Sequence, residues 1–309
     1  MDAYEYNPDS TFPQTGRDEW AACHNYNVSM DNTGSHIPQD TEAITKWRAW
    51  HQRREQELAA PHGWLSLISF TWLNSHPRTV SGFPGTFHEV DGHVLAQFDP
   101  AEGVRRGGVV VAEASIVTAE DDSDLTLHWQ DRIAEVGMRG GRYMVRIRDP
   151  HAPTRTGFAG VPVFAYDPNA VVTARFTAFP APREVEISTA REGLRGTAHL
   201  VGEVTFRYDA AAHRLAVQGD PDGVLTAVFS DATSGQETDA WRFVSFPGPG
   251  LPKKDSAAQF ATTRTGEVKI DFNRALNFPM AFSDFATCPA PPDGNHLQVA
   301  IRAGEKAAR

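Results

Sequence analysis

From Trp64 to Arg302 the sequence is made of short apolar segments in which buried-type and polar side chains alternate, as in Tyr143-Met144-Val145-Arg146-Ile147-Arg148. A period of two sends successive side chains to opposite faces of a pleated strand, so this pattern commits a chain to β-structure with one face covered. The spacing predicts strands over 64–73, 86–90, 94–98, 109–117, 125–129, 143–148, 161–165 and 171–178. Further strands are predicted over 184–188, 198–208, 214–218, 225–229, 241–246, 267–271 and 297–302. Between them stand Asp91-Gly92, Gly107-Gly108, Gly140-Gly141 and Asp222-Gly223, pairs that favour tight reversals. Many short strands joined this way argue for a mainly β fold, an antiparallel β-barrel or barrel-like sandwich, and against βαβ units.

Ahead of the strands the pattern differs. Residues 1–39 are rich in Asn, Asp, Ser, Thr, Gly and Pro without an apolar period, which predicts a partly flexible extended arm. Tyr4, Tyr6, Phe12, Trp20, Tyr26 and Met30 give that arm the means to pack on the body or to form a homodimer contact. A helix follows, capped by Asp40 or Thr41 and stopped by Pro61 and Gly63. Its apolar side carries Ile44, Trp47, His51 and Leu58, and Arg48, Arg53, Arg54, Glu55 and Glu57 form its charged exterior. Residues 40–309 read as a single β-rich domain, with a candidate sub-boundary at 178–183, where Pro180 and Pro182 fall between strands. The proline-, glycine- and lysine-bearing stretch 246–260 reads as an exposed loop.

With 40% hydrophobic and 22% charged residues, the 309-residue chain has the composition of a globular protein. Its net charge of −10 disfavours nucleic acid and anionic membrane as partners, since both call for a basic face. Cys23 and Cys288 are too few and too far apart for a disulfide framework. The first residues show no basic or apolar leader pattern, and the longest apolar stretch, near 65–73, is too short and polar to span a bilayer. The expected compartment is the cytoplasm.

No P-loop, GxGxxG, HExxH, paired CxxC or GxSxG occurs, which removes the best-marked nucleotide, zinc and hydrolase readings and leaves no expected cofactor. Among twelve histidines, His24, His36, His51, His62 and His76 crowd the N-terminal quarter, and His88 and His93 flank a turn. A metal-dependent, cupin-like barrel would use His88, His93 and a carboxylate; surface or hydrogen-bonded histidines are the plainer account, and no metal ligands are assigned.

The last third is denser in candidates. Phe229-Ser230-Asp231-Ala232-Thr233 is a strand entering a turn, where Asp231 and Thr233 either build an Asx-turn or present a carboxylate at a barrel mouth. Arg242, on the next strand, needs an acceptor, either Asp231 or an anionic ligand. Asn273 and Asn277 can bond the backbone of a long irregular loop that Pro279, Pro289, Pro291 and Pro292 stiffen. That loop is either a plug for one end of the barrel or the wall of a pocket. Cys288 beside Pro289 reads as a small buried hydrophobe.

Asp271, Phe272, Asn273, Ala275, Asn277, Ala281, Phe282, Cys288, Pro289, Asn295 and the closing Ala303-Gly304-Glu305 together resemble the C-terminal motif of the bacterial domain-of-unknown-function family 1684. Weaker echoes lie at Gly63-Trp64-Leu65, Trp72-Leu73, Arg146 to Asp149, Phe158, Gly160, and Phe229, Asp231, Thr233 and Gly235. The resemblance covers residues 41–306 and marks a divergent member. Met280 stands where the family has a Cys, and 238–242 departs from its usual Tyr and Gly-Arg. The resemblance implies a fold and no known reaction.

The leading expectation is a cofactor-independent enzyme acting on a small organic molecule at a barrel-mouth pocket, by hydrolysis, isomerisation or cyclisation. Asp231, Asp271 and Glu305 are its candidate acid/base carboxylates. Arg242, Asn273, Asn277, Thr233, Cys288 and Asn295 are its candidate substrate contacts. The alternative is a non-catalytic small-molecule binder or scaffold protein. Convergence of the three carboxylates on one cavity favours the enzyme, and separate satisfaction of each within the chain favours the binder.

Overall fold

The computed structural model describes residues 39–250 and 264–309. The expected arm, its homodimer contact, Cys23 and most of the loop expected over 246–260 lie outside these residues. The chain forms two compact units, one over Ile68–Asp149 and one joining 39–67 to Pro150–Arg309.

In the first unit the strands are β1 (Leu67–Trp72), β2 (Arg78–Val80), β3 (Phe83–Val90), β4 (His93–Gln97), β5 (Arg105–Arg106), β6 (Val109–Val110), β7 (Glu113–Ile116), β8 (Ser123–Trp129), β9 (Arg132–Arg139) and β10 (Arg142–Arg148). They build a six-stranded sheet in the order β1-β10-β9-β8-β5-β6 and a four-stranded sheet in the order β2-β3-β4-β7. One core joins the two: Phe87, Val94, Ala96 and Ile116 from the small sheet meet Leu127, Val136, Tyr143, Val145 and Ile147 from the large one. The hairpin joining β9 to β10 turns at Gly140 and Gly141, with φ of 60° and 70°. A two-residue turn that matches strand twist needs positive φ at both positions, which two glycines adopt without strain.

Strand β9 is missing from the predicted set, and its burial shows why. Ala134 and Val136 face the core, but the other side of the strand carries Glu135 and Arg139, which are also buried. Charged residues on a covered face hide a strand from any reading based on apolar alternation.

The second unit opens with α1 (Gln39–Leu58) and a short helix, α2 (Pro153–Thr156). Its strands are β11 (Val171–Ser188), β12 (Arg195–Tyr208), β13 (Ala211–Gly219), β14 (Val224–Phe229), β15 (Arg242–Pro247), β16 (Thr265–Asp271) and β17 (Leu276–Asn277). They form one antiparallel sheet in the order β16-β11-β12-β13-β14-β15-β17. The sheet curls until β15 and β16 touch, although they are not neighbours in the order. Inside the curl lie Phe176, Val204, Phe206, Leu215, Phe229, Val244, Ile270 and Phe272. The barrel-like form of the expectation holds, without a closed barrel.

Three sequence expectations are corrected here. Residues 178–183 are no boundary: β11 runs through them, with a register shift against β12 between Ala178 and Arg183. Pro180 and Pro182 fall in that irregularity, where the ladder asks for no N–H from them. Residues 161–165 and 297–302 form no strand; Val163 makes only an isolated bridge to Glu305. Leu297, Ile301 and Ala303 still reach the core, as part of an irregular tail. Among the described residues no helix is long and apolar enough to cross a membrane.

Candidate functional site

Five of the nine predicted site residues come together around the C-terminal tail. Asp231 follows β14 and Arg242 opens β15, and these strands are paired, with Phe229 opposite Arg242. The turn between them therefore returns the guanidinium to the carboxylate. Arg242 Nη2 donates to Asp231 Oδ2 at 2.8 Å, with both side chains buried. Asp231 Oδ1 accepts from Thr233 N at 2.8 Å, Thr233 Oγ1 at 2.6 Å and Ile301 N at 3.3 Å. The Asx-turn and the ion pair thus exist at once, each using one carboxylate oxygen. Arg242 also donates to the carbonyls of Ile301 (2.9 Å), Ala303 (2.6 Å) and Glu305 (2.9 Å). The guanidinium gathers three carbonyls of a tail that meets other segments only through isolated bridges. Burial pulls the Arg242 guanidinium below its ordinary value, against the opposing pull of Asp231 and Glu305.

Glu305 extends this network. Its Oε2 accepts from Asn277 N at 2.6 Å, and its Oε1 faces Arg54 Nε at 3.4 Å. Arg54 Nη2 donates to Asn277 O at 3.1 Å, and Asn277 Nδ2 donates to Lys306 O at 2.7 Å. Arg54, expected on the exterior of α1, is 5% exposed. The inward face of the helix is Trp47, Trp50, Arg54 and Leu58, at 3- and 4-residue steps. An arginine among apolar residues shifts that face away from the one the apolar period outlines, and His51 falls at its margin.

The remaining predicted residues are held elsewhere in the same unit. Asp271 caps a single turn: its Oδ1 accepts from Asn273 N (3.0 Å) and Nδ2 (2.9 Å), and its Oδ2 lies 3.4 Å from Arg274 Nε. Asn273 pairs its amide with both backbone groups of Asp167 at 2.8 Å. Its carbonyl accepts from Trp47 Nε1 at 2.8 Å. Asn295 does the same between β13 and β14, bonding Ala216 N (2.8 Å), Ala216 O (2.9 Å) and Val228 O (2.8 Å). The two strands pair directly only at Gln218–Thr226 and Gly219–Leu225, so the Asn295 amide bridges the gap where they part. Cys288 is buried, and its carbonyl accepts from Ala190 N at the β11–β12 turn.

The three candidate carboxylates thus do not converge on one cavity. Each is satisfied by backbone amides, a hydroxyl or a neighbouring arginine.

The first unit holds a second buried ion cluster that the sequence reading missed. Glu135 on β9 accepts from Arg146 Nε at 3.1 Å, Arg148 Nε at 2.8 Å and Ser123 Oγ at 3.0 Å, and is also paired with Arg146 Nη2. Arg139 Nη2 donates to the same Ser123 Oγ at 3.1 Å. The β9–β10 register sets Arg146 directly across from Glu135. Burial pushes the Glu135 carboxyl up, but Arg146 and Arg148 overcome this and hold it far below the usual carboxylate range. No local signal in the sequence marks Glu135, because the charged residues on the covered face of β9 break the apolar alternation.

On the hairpin of β3 and β4, His88 lies opposite Leu95 and His93 opposite Val90. Among the described residues no group of three or more His, Cys, Asp or Glu could hold a metal ion, so the cupin-like reading lacks a ligand set there.

A groove of about 600 Å³ lies on the solvent side of the seven-stranded sheet, lined by Thr173 and Arg175 of β11, Thr205 and Arg207 of β12, Ala212 of β13, and Thr265 and Glu267 of β16. Alternation along the strands puts Ala174 and Phe206 in the core and these side chains outside.

Residues 156–306 match the model of a family described as a protein of unknown function, DUF1684. Over this segment, just under half of the chain, the sequence is similar to the DUF1684 family. The matched DUF1684 segment takes in β11 to β17 and the tail through Glu305; the echoes at 63–73 and 146–149 fall outside it. An uncharacterized protein of Haloarcula marismortui, solved by solution NMR, is 29% identical, with 49% of this chain and 78% of that one covered and a TM-score of 0.37. Nothing among curated proteins matches the chain.

Proposed function

We propose that this protein binds a small polar molecule in the groove on the outer face of β16, β11, β12 and β13, and that its buried carboxylates are structural. The observation behind this reading is a contrast in commitment. Asp231 and Glu305 are 2% and 1% exposed and are already bonded within the chain. A carboxylate so placed reaches a substrate proton only by giving up a bond that fastens the tail. In the groove the reverse holds: Arg175 and Glu267 sit opposite one another across β11 and β16, face solvent, and form no ion pair with each other. Native mass spectrometry of the full chain, incubated with fractionated small-metabolite mixtures, tests the reading. A stoichiometric adduct that Arg175→Ala removes supports it; no adduct, or one indifferent to groove substitutions, refutes it.

One observation favours a second reading, that of an acid–base enzyme. His51 stacks on Trp47, with ring centroids 6.1 Å apart, and its Nδ1 lies 3.8 Å from Glu55 Oε1. Its Nε2 is buried without a hydrogen-bond partner. A histidine with one ring nitrogen near a carboxylate and the other uncommitted has the form of a general base. Turnover of a hydrolase or isomerase substrate panel that His51→Gln abolishes would establish this reading over the first.

A further inference from the structure

The side chains of the groove carry the inference one step further, to the class of ligand, and this step rests on the binding reading above. We propose that the groove is an oxyanion site, taking a phosphate or carboxylate group on a small molecule.

Strand register fixes the pattern. Arg175 lies opposite Thr205 on one side and Glu267 on the other. Thr173 and Arg207 each stand one residue beyond the Ala174–Phe206 pair. The outer face therefore presents a two-by-two square with arginines on one diagonal and threonines on the other. Diagonal neighbours across an antiparallel pair are about 7–8 Å apart, a span that two guanidiniums can close on one tetrahedral or planar oxyanion. Ala212 beyond Arg207 is small, and leaves depth between the long side chains. Lys269 lies opposite Thr173 and adds a third cation at the rim.

The charges available for a ligand follow from the partners these groups already have. Arg214 lies 3.8 Å from Glu203, and Arg207 Nη2 donates to Ala210 O at 2.7 Å, which leaves the rest of that guanidinium fork available. The Arg175 side chain has no ion pair or side-chain hydrogen bond among the described residues. Of the lining groups only Glu267 is acidic, against Arg175 and Arg207. Thr173 and Thr265 add hydroxyl donors, and the Thr205 hydroxyl, which donates to Arg175 O at 3.5 Å, adds an acceptor oxygen. In a chain whose net charge is −10, a patch of this sign has an anion as its natural complement.

Calorimetric titration of the full chain with inorganic phosphate, glycerol 3-phosphate and succinate tests the proposal and separates phosphate from carboxylate recognition. Saturable binding of at least one is expected, weakened roughly tenfold by Arg175→Gln and by Arg207→Gln. Glu267→Gln should tighten it about threefold, because it removes a like charge. All three positions are exposed, so thermal midpoints should stay at the unmodified value. Absence of saturable binding by all three probes, or binding indifferent to both arginine substitutions, overturns the oxyanion assignment. A neutral adduct in native mass spectrometry that Thr205→Val removes would overturn the ligand class alone and leave the binding reading standing. No adduct and no titration signal would end both.

Discussion

The two units each bury arginines against a carboxylate, and they do so for different ends. In the first unit Glu135 draws on Arg146, Arg148 and Ser123, all on strands next to its own, and the contacts join side chain to side chain. In the second, Arg242 reaches Asp231 but spends its other bonds on the carbonyls of Ile301, Ala303 and Glu305. The first arrangement is a charge cluster on a sheet that the backbone ladder already holds. The second replaces a ladder: without it the carbonyls of Ile301, Ala303 and Glu305 would lose the donor that Arg242 supplies. The number of buried ions in a unit thus says less about its stability than what those ions fasten.

The largest expected effect breaks the second arrangement. Arg242→Met should cost about 3–5 kcal/mol, since it leaves Asp231 buried without its cation and the carbonyls of Ile301, Ala303 and Glu305 without the donor Arg242 gives them. Hydrogen exchange should show fast exchange appearing at 297–306. An unchanged tail in a folded Arg242→Met protein would mean that the Arg242 bonds do not fasten it.

Glu135→Gln comes next, at about 2–4 kcal/mol, with exchange at the tail unaltered. It also sets a pH prediction. The folded Glu135 carboxyl lies below its ordinary 4.5, so its contribution is fully present above that value and is lost as pH falls below it. Acid unfolding of Glu135→Gln followed by circular dichroism should therefore show a flatter limb below pH 4.5 than the unmodified chain shows. Identical acid limbs would mean that the cluster does not couple to folding.

Smaller effects test the extensions of the tail network. Arg54→Met removes the link from α1 to Glu305 and Asn277 and should cost about 1.5–3 kcal/mol by urea unfolding. Asn295→Ala should cost about 1–2 kcal/mol, with faster exchange at Ala216, whose amide it leaves without an acceptor.

How much of this was legible depended on sequence distance. The Asp231–Thr233 turn and its Arg242 partner could be read as a structural pair because consecutive elements carry them, and paired strands bring consecutive elements together. The Asn273 and Asn277 bonds to irregular backbone were foreseen in kind, though not in partner. Local sequence puts Arg54 on the helix exterior because its acceptor, Glu305, is 251 residues away in sequence. Glu135 is not legible locally because its burial depends on arginines whose own positions read as solvent-facing members of an alternating strand. The groove was not foreseen at all: Thr173, Arg175, Thr205 and Arg207 are ordinary outer-face residues until register sets them side by side.

By itself, then, the sequence determined the β class, most strands, the hairpin turns and the family resemblance of residues 156–306, because alternation, glycine turns and a continuous motif are properties of neighbouring residues. Only the tertiary structure decided that the chain forms two units, that the last residues are a fastened tail and not a strand, and that the candidate carboxylates are bonded inward. Those outcomes turn on which buried charge finds which partner. Such pairing is set by strands and tails meeting from far along the chain, where the cost of an unsatisfied ion selects the partner.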